Sequence, residues 1–228
     1  MTHAFGAASE PSPDLLRRPK SFARHVYDFV GAPVRMAILP DELSERIGLT
    51  SLRAERMAAV LPELKGRVLD VGAGDNLLVR LYRRCAHVTG GAAADADLSV
   101  GVDTHDWGGG CAIVSSSRSL PFEDGSFDTV CFVACLNHIP ERAEALAEAR
   151  RLLRPGGRVV ATMIGKVVGA VGHTIWWYGE DRYRDMHPEE RWGLEREEMV
   201  RLFENAGLRS VKTRGFAYGL NTLYVATR

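Results

Sequence analysis

Gly66-Arg67-Val68-Leu69-Asp70-Val71-Gly72-Ala73-Gly74-Asp75-Asn76 decides how the rest of this chain is read. Val68, Leu69 and Val71 form a short apolar run of strand formers, suited to a strand buried on both faces. Asp70 falls at its carboxyl end, and two glycines spaced Gly-x-Gly follow at once. Leu77, Leu78, Leu81 and Tyr82 then take up helical spacing. Strand, glycine turn and helix make the first half of a nucleotide-binding βαβ unit, in which a ligand approaches bare backbone. A dinucleotide fold would place a third glycine where Leu77 stands, so that amides and a helix N-terminus could hold a pyrophosphate. An acid on the strand repels phosphate and suits a cationic amino group.

Asp70-x-Gly72-x-Gly74 resembles the first motif of the class I S-adenosylmethionine (SAM) methyltransferases. A second stretch strengthens the resemblance: Leu120-Pro121-Phe122-Glu123-Asp124-Gly125-Ser126-Phe127-Asp128-Thr129-Val130, followed by Cys131 to Pro140. It is similar to the turn and fourth strand of small-molecule methyltransferases of the ubiquinone-biosynthesis type. Its physics is local: Asp124-Gly125 makes a turn, Val130 to Ala134 reads as a buried strand, and Pro140 stands at a helix start. The resemblance covers roughly Gly66 to Arg228. It implies an α/β, Rossmann-like seven-stranded sheet, mostly parallel with an antiparallel last strand, plus an N-terminal helical cap.

The remaining elements follow from periodicity and punctuation. Residues 1–13 are small, polar and Pro-containing, and are expected to be a disordered tail. From 14 to 64 the pattern is helical and interrupted, giving the cap. Phe22, Val26, Phe29 and Val30 keep one apolar face until Gly31 and Pro33 break it. Asp41 can cap Glu42 to Ile47, Gly48 stops that segment, and Thr50 or Ser51 caps a helix through Val60. Residues 65–228 form the methyltransferase domain, within a single structural unit. After a helix ending near Arg84, His87 to Leu98 reads as an irregular excursion. Ser99 to Asp103 is the second strand, His105 to Gly110 a loop, and Cys111 to Ser115 the third strand. Arg154-Pro155-Gly156-Gly157 is expected to end the helix after the fourth strand, with Val159 to Ile164 as the fifth. Glu195 to Ala206 is an amphipathic helix, and Leu208 to Phe216 and Asn221 to Thr227 are the last two strands.

The resemblance also assigns residues. Asp70, Gly72, Gly74 and Asn76 would hold the methionine end of SAM, with Ala134 at the end of the fourth strand. Asp103 would accept from both ribose hydroxyls, since one carboxylate offers paired acceptors to vicinal donors. Ser116 and Ser117 would lie near adenine, where the family often has an acid; a hydroxyl can accept the same bond without the charge. SAM supplies an already activated methyl group and leaves as S-adenosylhomocysteine. The protein must mainly align the nucleophile and remove its proton where it carries one.

His138 is expected to open the helix after the fourth strand and is a candidate base or substrate contact, against the plainer reading of a residue that caps that helix or packs beside the cofactor. Residues 173–192 hold three of the four tryptophans and two histidines. Trp176 and Trp177 suit an aromatic substrate wall, and His173, Tyr178 and His187 are further base candidates. The alternative is a surface helix packing its tryptophans on the sheet rim. In the cap, His25, Tyr27 and Arg35 are candidate substrate contacts, Arg35 for a substrate anion, though a surface salt bridge is the plainer role for Arg35.

Composition bounds the function. The 228 residues carry 29 basic and 29 acidic side chains, so net charge provides no footprint for nucleic acid or an anionic membrane. The four cysteines show no Cys-x-x-Cys spacing, which reads as reduced, cytoplasmic and metal-free. No apolar run reaches membrane-spanning length, and residues 1–13 lack the features of a signal peptide. The expectation is a cytoplasmic methyltransferase acting on the O, N or C nucleophile of a small molecule, without membrane or nucleic-acid partners. Its rivals are a methyltransferase of protein or RNA, a non-catalytic partner protein of the same fold, and a nicotinamide oxidoreductase, which Asp70 and Leu77 disfavour.

Overall fold

The computed structural model describes residues 20–37, 41–89, 93–165, 191 and 193–228. In chain order these form α1 (Phe22–Ala37), α2 (Asp41–Arg46), α3 (Leu52–Val60), a 3-10 turn (Leu61–Glu63), β1 (Val68–Val71), α4 (Leu77–Thr89), α5 (Ala93–Asp97) and β2 (Val100–Asp103). They continue with β3 (Ala112–Ile113), β4 (Phe127–Val133), α6 (Arg142–Leu152), β5 (Leu153–Ile164), α7 (Arg196–Asn205), β6 (Arg209–Phe216) and β7 (Asn221–Thr227).

Seven strands make one sheet in the order β3-β2-β1-β4-β5-β7-β6. β1 to β5 run parallel, and β7 is antiparallel to both β5 and β6, as expected. The order reverses between β1 and β4, so their carboxyl ends flank the crevice where open α/β sheets take ligands. One face packs Met57, Val60, Leu78 and Leu81 of α3 and α4 on Val68, Cys131, Val160 and Leu223. The other packs Leu146, Met199 and Phe203 of α6 and α7 on Leu69, Phe132, Val159 and Tyr224. Both faces of β1 and β4 are thereby buried, which is why they read as continuous apolar runs.

Four expectations give way to the structure. α1 continues through Gly31 and Pro33. A Cβ at Gly31 would come within 2.5 Å of Leu49 Cδ2, so the glycine permits close docking on the segment before α3. Tertiary contact thus overrides the local helix-breaking tendency. Next, α4 runs to Thr89, and the region expected to be irregular carries α5, built on the alanine-rich stretch. Third, Arg154 to Gly157 do not terminate a helix. α6 ends at Leu152, β5 begins at once, and the register with β4 slips between Phe127 and Thr129. Residues 154–157 are therefore a bulge, with Gly156 at φ +78° and Arg154 bonded to Asp128 at 2.9 Å.

The fourth concerns which way α1 faces. Its expected core face is exposed: Phe22 84%, Phe29 62%, Val30 71% and Val26 46%. The opposite face docks through polar groups. Asp28 is fully buried and accepts from Thr50 N at 2.9 Å, Thr50 Oγ1 at 2.7 Å and Lys20 Nζ at 2.8 Å. Lys20 also pairs with Glu55. These bonds hold the Asp28 carboxyl down at about 2 against the opposing effect of burial. Ser51 caps α3 by accepting from Ala54 N at 3.0 Å.

Candidate cofactor and active site

β1 delivers Asp70 between Gly101 of β2 and Cys131 of β4. Beyond Val71 the chain must turn sharply. Gly72 and Ala73 donate to Val102 O at 2.9 and 3.0 Å, and Asn76 N donates to Ala73 O at 2.8 Å. The two glycines have different reasons. A Cβ on Gly72 would meet Cys135 Cβ at 2.7 Å, so packing requires glycine there. At Gly74 a Cβ would meet nothing within 4 Å. Its φ of +55° and the open space leave backbone accessible to a ligand.

Asp70 is 3% exposed, and its Oδ1 is buried without a hydrogen-bond partner. Burial, then the negative charges of Asp103 and Asp75, push its carboxyl up to about 8. Asn76, at the end of the same turn, holds a second buried acceptor without a donor, its Oδ1. That oxygen lies over Gly101, where a Cβ would be 2.3 Å away. Two orphaned acceptors in one turn call for a donor, and a cationic one suits Asp70 best.

Asp103 is at the end of β2, as expected, but it has structural work. Its Oδ2 accepts from Gly74 N at 2.9 Å and its Oδ1 from His105 N at 3.0 Å. It therefore braces the glycine turn against the loop after β2, while each oxygen keeps a lone pair for another donor. That loop closes back on the turn. Asn76 Nδ2 donates to Gly110 O at 3.3 Å, and Gly109 lies so near Asp75 that a Cβ would fall 2.1 Å from its carbonyl oxygen. His105 and Trp107 meet edge to face at 4.6 Å on the same loop.

Ser116 and Ser117 are half-buried beyond β3, with Ser116 Oγ accepting from Arg118 N at 3.3 Å. Ala134 ends β4 at φ +56°, its N–H held by Thr162 Oγ1 at 3.0 Å. Next to it, Cys135 Sγ donates to Val71 O at 3.0 Å, and burial keeps this thiol well above its ordinary pKa. His138 does not open a helix; it lies in a turn before α6. Asn137 Nδ2 is 3.0 Å from its Nε2, so that nitrogen acts as acceptor and the proton rests on Nδ1. Asn137 is the anchor sequence reading missed. It is buried, and it holds Arg191 by two bonds, its Nδ2 to Arg191 O at 3.2 Å and Arg191 N to its own O at 2.9 Å.

The cap closes on the same edge. Arg53 at the start of α3 pairs with Asp75. Tyr218, in the β6–β7 turn, donates to His25 O at 3.1 Å and meets Phe29 edge to face at 5.4 Å. The His25 side chain is exposed, while the Tyr27 hydroxyl is committed to Ile47 O at 2.8 Å. Arg35 is on α1, its side chain outside the described residues, as are His173, Trp176, Trp177, Tyr178 and His187 entirely. Nearby Asn221, 1% exposed and paired with Ile164 at the carboxyl end of β5, leaves both side-chain amide atoms without partners. No periodicity or motif marks it.

With this geometry in place, likeness to known proteins can be weighed. The family described as a methyltransferase domain matches residues 69–161. The ubiquinone/menaquinone biosynthesis C-methyltransferase UbiE of Burkholderia mallei is 29% identical over 189 residues, 72% of this chain and 75% of that protein. A SAM-dependent methyltransferase of Thermotoga maritima, described as a possible histamine N-methyltransferase, superposes with a TM-score of 0.57 at 19% identity. It covers 89% of this chain and 98% of its own. The 1,6-didemethyltoxoflavin-N1-methyltransferase of Burkholderia thailandensis, solved with 1,6-didemethyltoxoflavin and S-adenosylhomocysteine, gives 0.52 at 18% identity, covering 92% of each chain. At these identities the two structures speak for the fold.

Proposed function

We propose that this chain is a class I SAM-dependent methyltransferase that methylates a small molecule at the carboxyl edge of its sheet, a reading supported by the methyltransferase-domain match and the UbiE relatives. The observation that carries the assignment of the edge is Asp70, a buried acid with an orphaned oxygen beside the open backbone of Gly74.

The residues fit the cofactor. Asp70 and Asn76 supply unmet acceptors for an ammonium group, and Gly72 and Gly74 let the main chain approach. Asp103 keeps lone pairs for ribose hydroxyls, Ser116 and Ser117 flank the adenine end, and Ala134 presents backbone beside the methionine end. SAM brings a methyl group already activated by its positive sulfur. What the chain adds is orientation: Asp103 fixes the glycine turn, and the Arg53–Asp75 pair ties the cap to it. His138 serves better as a positioned member of the post-β4 turn than as base, because its Nε2 already accepts from Asn137.

The small-molecule reading is supported by the UbiE relatives and by the apolar α1 stripe beside the carboxyl edge. In this reading residues 14–64 are a cap and 65–228 the catalytic unit. His25 and the segment 173–187, with its three base candidates, border the substrate. Four free thiols fit a reducing, cytoplasmic setting. Among the described residues, no helix is long and apolar enough to cross a membrane.

The test is to incubate the protein with methyl-labelled SAM and a cell extract split into low-mass, protein and RNA fractions. Label should enter the low-mass fraction. Label confined to protein or RNA would overturn the substrate class, and absence of S-adenosylhomocysteine binding by calorimetry would overturn the cofactor site.

A further inference from the structure

On the face of the sheet that carries α3, β5, β7 and β6 leave an open trough of about 530 Å³. Its floor is the half-buried Val225 of β7, next to Leu223, which α3 already covers. Its walls are cationic: Arg158 from β5 on one side, Lys212 and Arg214 from β6 on the other.

The register sets how these three side chains are spaced along one trough. Arg158 pairs with Thr227, Lys212 with Val225 and Arg214 with Leu223, so one strand separates the two walls. At roughly 4.8 Å per strand the walls stand about 10 Å apart, and Arg158 is offset along the strands by about 7 Å from Lys212 and about 14 Å from Arg214. Lys212 and Arg214, two residues apart, share a face of β6, about 7 Å from each other along the strand. Long cationic side chains reach across such a gap.

The single acid in the lining, Glu63, is 3.7 Å from Arg158 and thus already engaged. Arg214 donates to Ala59 O of α3 at 3.2 Å, which leaves other N–H groups of its guanidinium unspent. The lining holds no second acid for Lys212. In a chain of zero net charge this is a local excess of positive charge over an apolar floor. Ser210 and Thr213 add hydroxyls at the rim.

We propose that this trough binds a small organic phosphate: Arg158, Lys212 and Arg214 line it to hold phosphate oxygens while the half-buried Val225 lies against the rest of the ligand. Guanidinium forks and an ammonium are the donors phosphate chemistry selects, and the volume falls in the range of small-ligand sites. The site is separate from the methyl-transfer edge. Arg158 and Thr227 are level with each other six residues before the end of β5, and Lys212 and Val225 are level with Val160, four residues before it. A phosphorylated ligand here would act on the enzyme as a second ligand, independent of whether the small-molecule substrate reading holds.

The test uses the full chain and inorganic pyrophosphate as probe, by calorimetry at low salt, with S-adenosylhomocysteine binding as a control. Native protein should bind pyrophosphate and S-adenosylhomocysteine without competition. The Lys212→Glu/Arg214→Glu double variant should lose about tenfold or more in pyrophosphate affinity, with S-adenosylhomocysteine affinity unchanged. Equal binding in the variant, or competition between the two ligands, would place pyrophosphate elsewhere and overturn the proposal. No binding by the native protein would leave these cations as protection of the β6 edge. A short single-stranded RNA binding more tightly than pyrophosphate, and lost in the same variant, would make the trough a nucleic-acid track instead.

Discussion

Asp70→Asn separates the two consequences of burying that acid. In the fold its carboxyl is raised from 3.8 to about 8, by burial first and then by Asp103 and Asp75. The folded protein therefore keeps a proton through a range in which the unfolded chain has lost it. Stability from this group is full below pH 4, declines as pH rises, and is gone once pH passes about 8. The displacement corresponds to ~6 kcal/mol between the two protonation states, an upper limit for the ligand-free protein. The thiols facing Asp70, Cys131 and Cys135, are held neutral by burial and supply no compensating charge.

A cationic ammonium at the orphaned oxygen reverses the preference and favours the ionised acid. Binding below pH 8 must then expel the Asp70 proton. S-adenosylhomocysteine affinity should fall up to about tenfold per pH unit, approaching a hundredfold between pH 8 and 6. Titration calorimetry in buffers of different ionisation enthalpy should register close to one proton released per ligand near pH 7. Asp70→Asn keeps the shape and removes the charge. It should raise the melting temperature of the ligand-free protein at pH 8.5. It should also weaken S-adenosylhomocysteine by roughly 10- to 100-fold at that pH, the worth of a charge-assisted bond of about 1.5–3 kcal/mol, and flatten the pH profile. Native affinity and melting that are flat from pH 6 to 8.5, or undiminished binding by Asp70→Asn, would refute the reasoning.

Three further outcomes are expected. Asp103→Ala removes the acceptor for Gly74 N and His105 N, so it should lower both cofactor affinity and stability, the latter by about 2–4 kcal/mol in denaturant melts; unchanged stability would mean the brace is idle. Asp28, held at about 2 against an unfolded 3.8, contributes ~2 kcal/mol that is present above pH 4 and lost as pH falls toward 2. Hydrogen exchange should therefore show α1 loosening in acid before the sheet does, and Asp28→Asn should reproduce that at neutral pH. Asn221→Leu replaces two buried, unpartnered amide atoms with an apolar side chain of similar volume and should leave melting equal or higher; a loss above about 1 kcal/mol would show that the amide has partners. Paired with methyl-transfer rates, the same variant reports whether Asn221 touches substrate.

Much of the site is local in sequence and was legible there. A strand, two glycines and a helix within eleven residues set the β1 turn, because its geometry depends on neighbouring φ angles and on nothing distant. The Asp124-Gly125 turn and the apolar run of β4 are local in the same way. Periodicity, however, states that an element has an apolar face, never what covers it. α1 carried a clear stripe of Phe22, Val26, Phe29 and Val30, and only tertiary contact decided that it docks by the opposite side, where Asp28 finds Thr50 and Lys20 and Gly31 finds Leu49. Local rules also failed where distant contacts outvoted them: at Gly31 and Pro33, through which α1 continues, and at Gly156, which bends a strand instead of ending a helix. The bond of Asp103 to Gly74, the grip of Asn137 on Arg191 and the approach of Arg158 to Lys212 over β7 join residues 29, 54 and 54 positions apart in sequence. The sequence by itself determined which atoms are available to such contacts; the packing of α1–α3 and of β5, β7 and β6 decided which of them meet, because hydrogen bonds and charge interactions act at distances that only the folded chain sets.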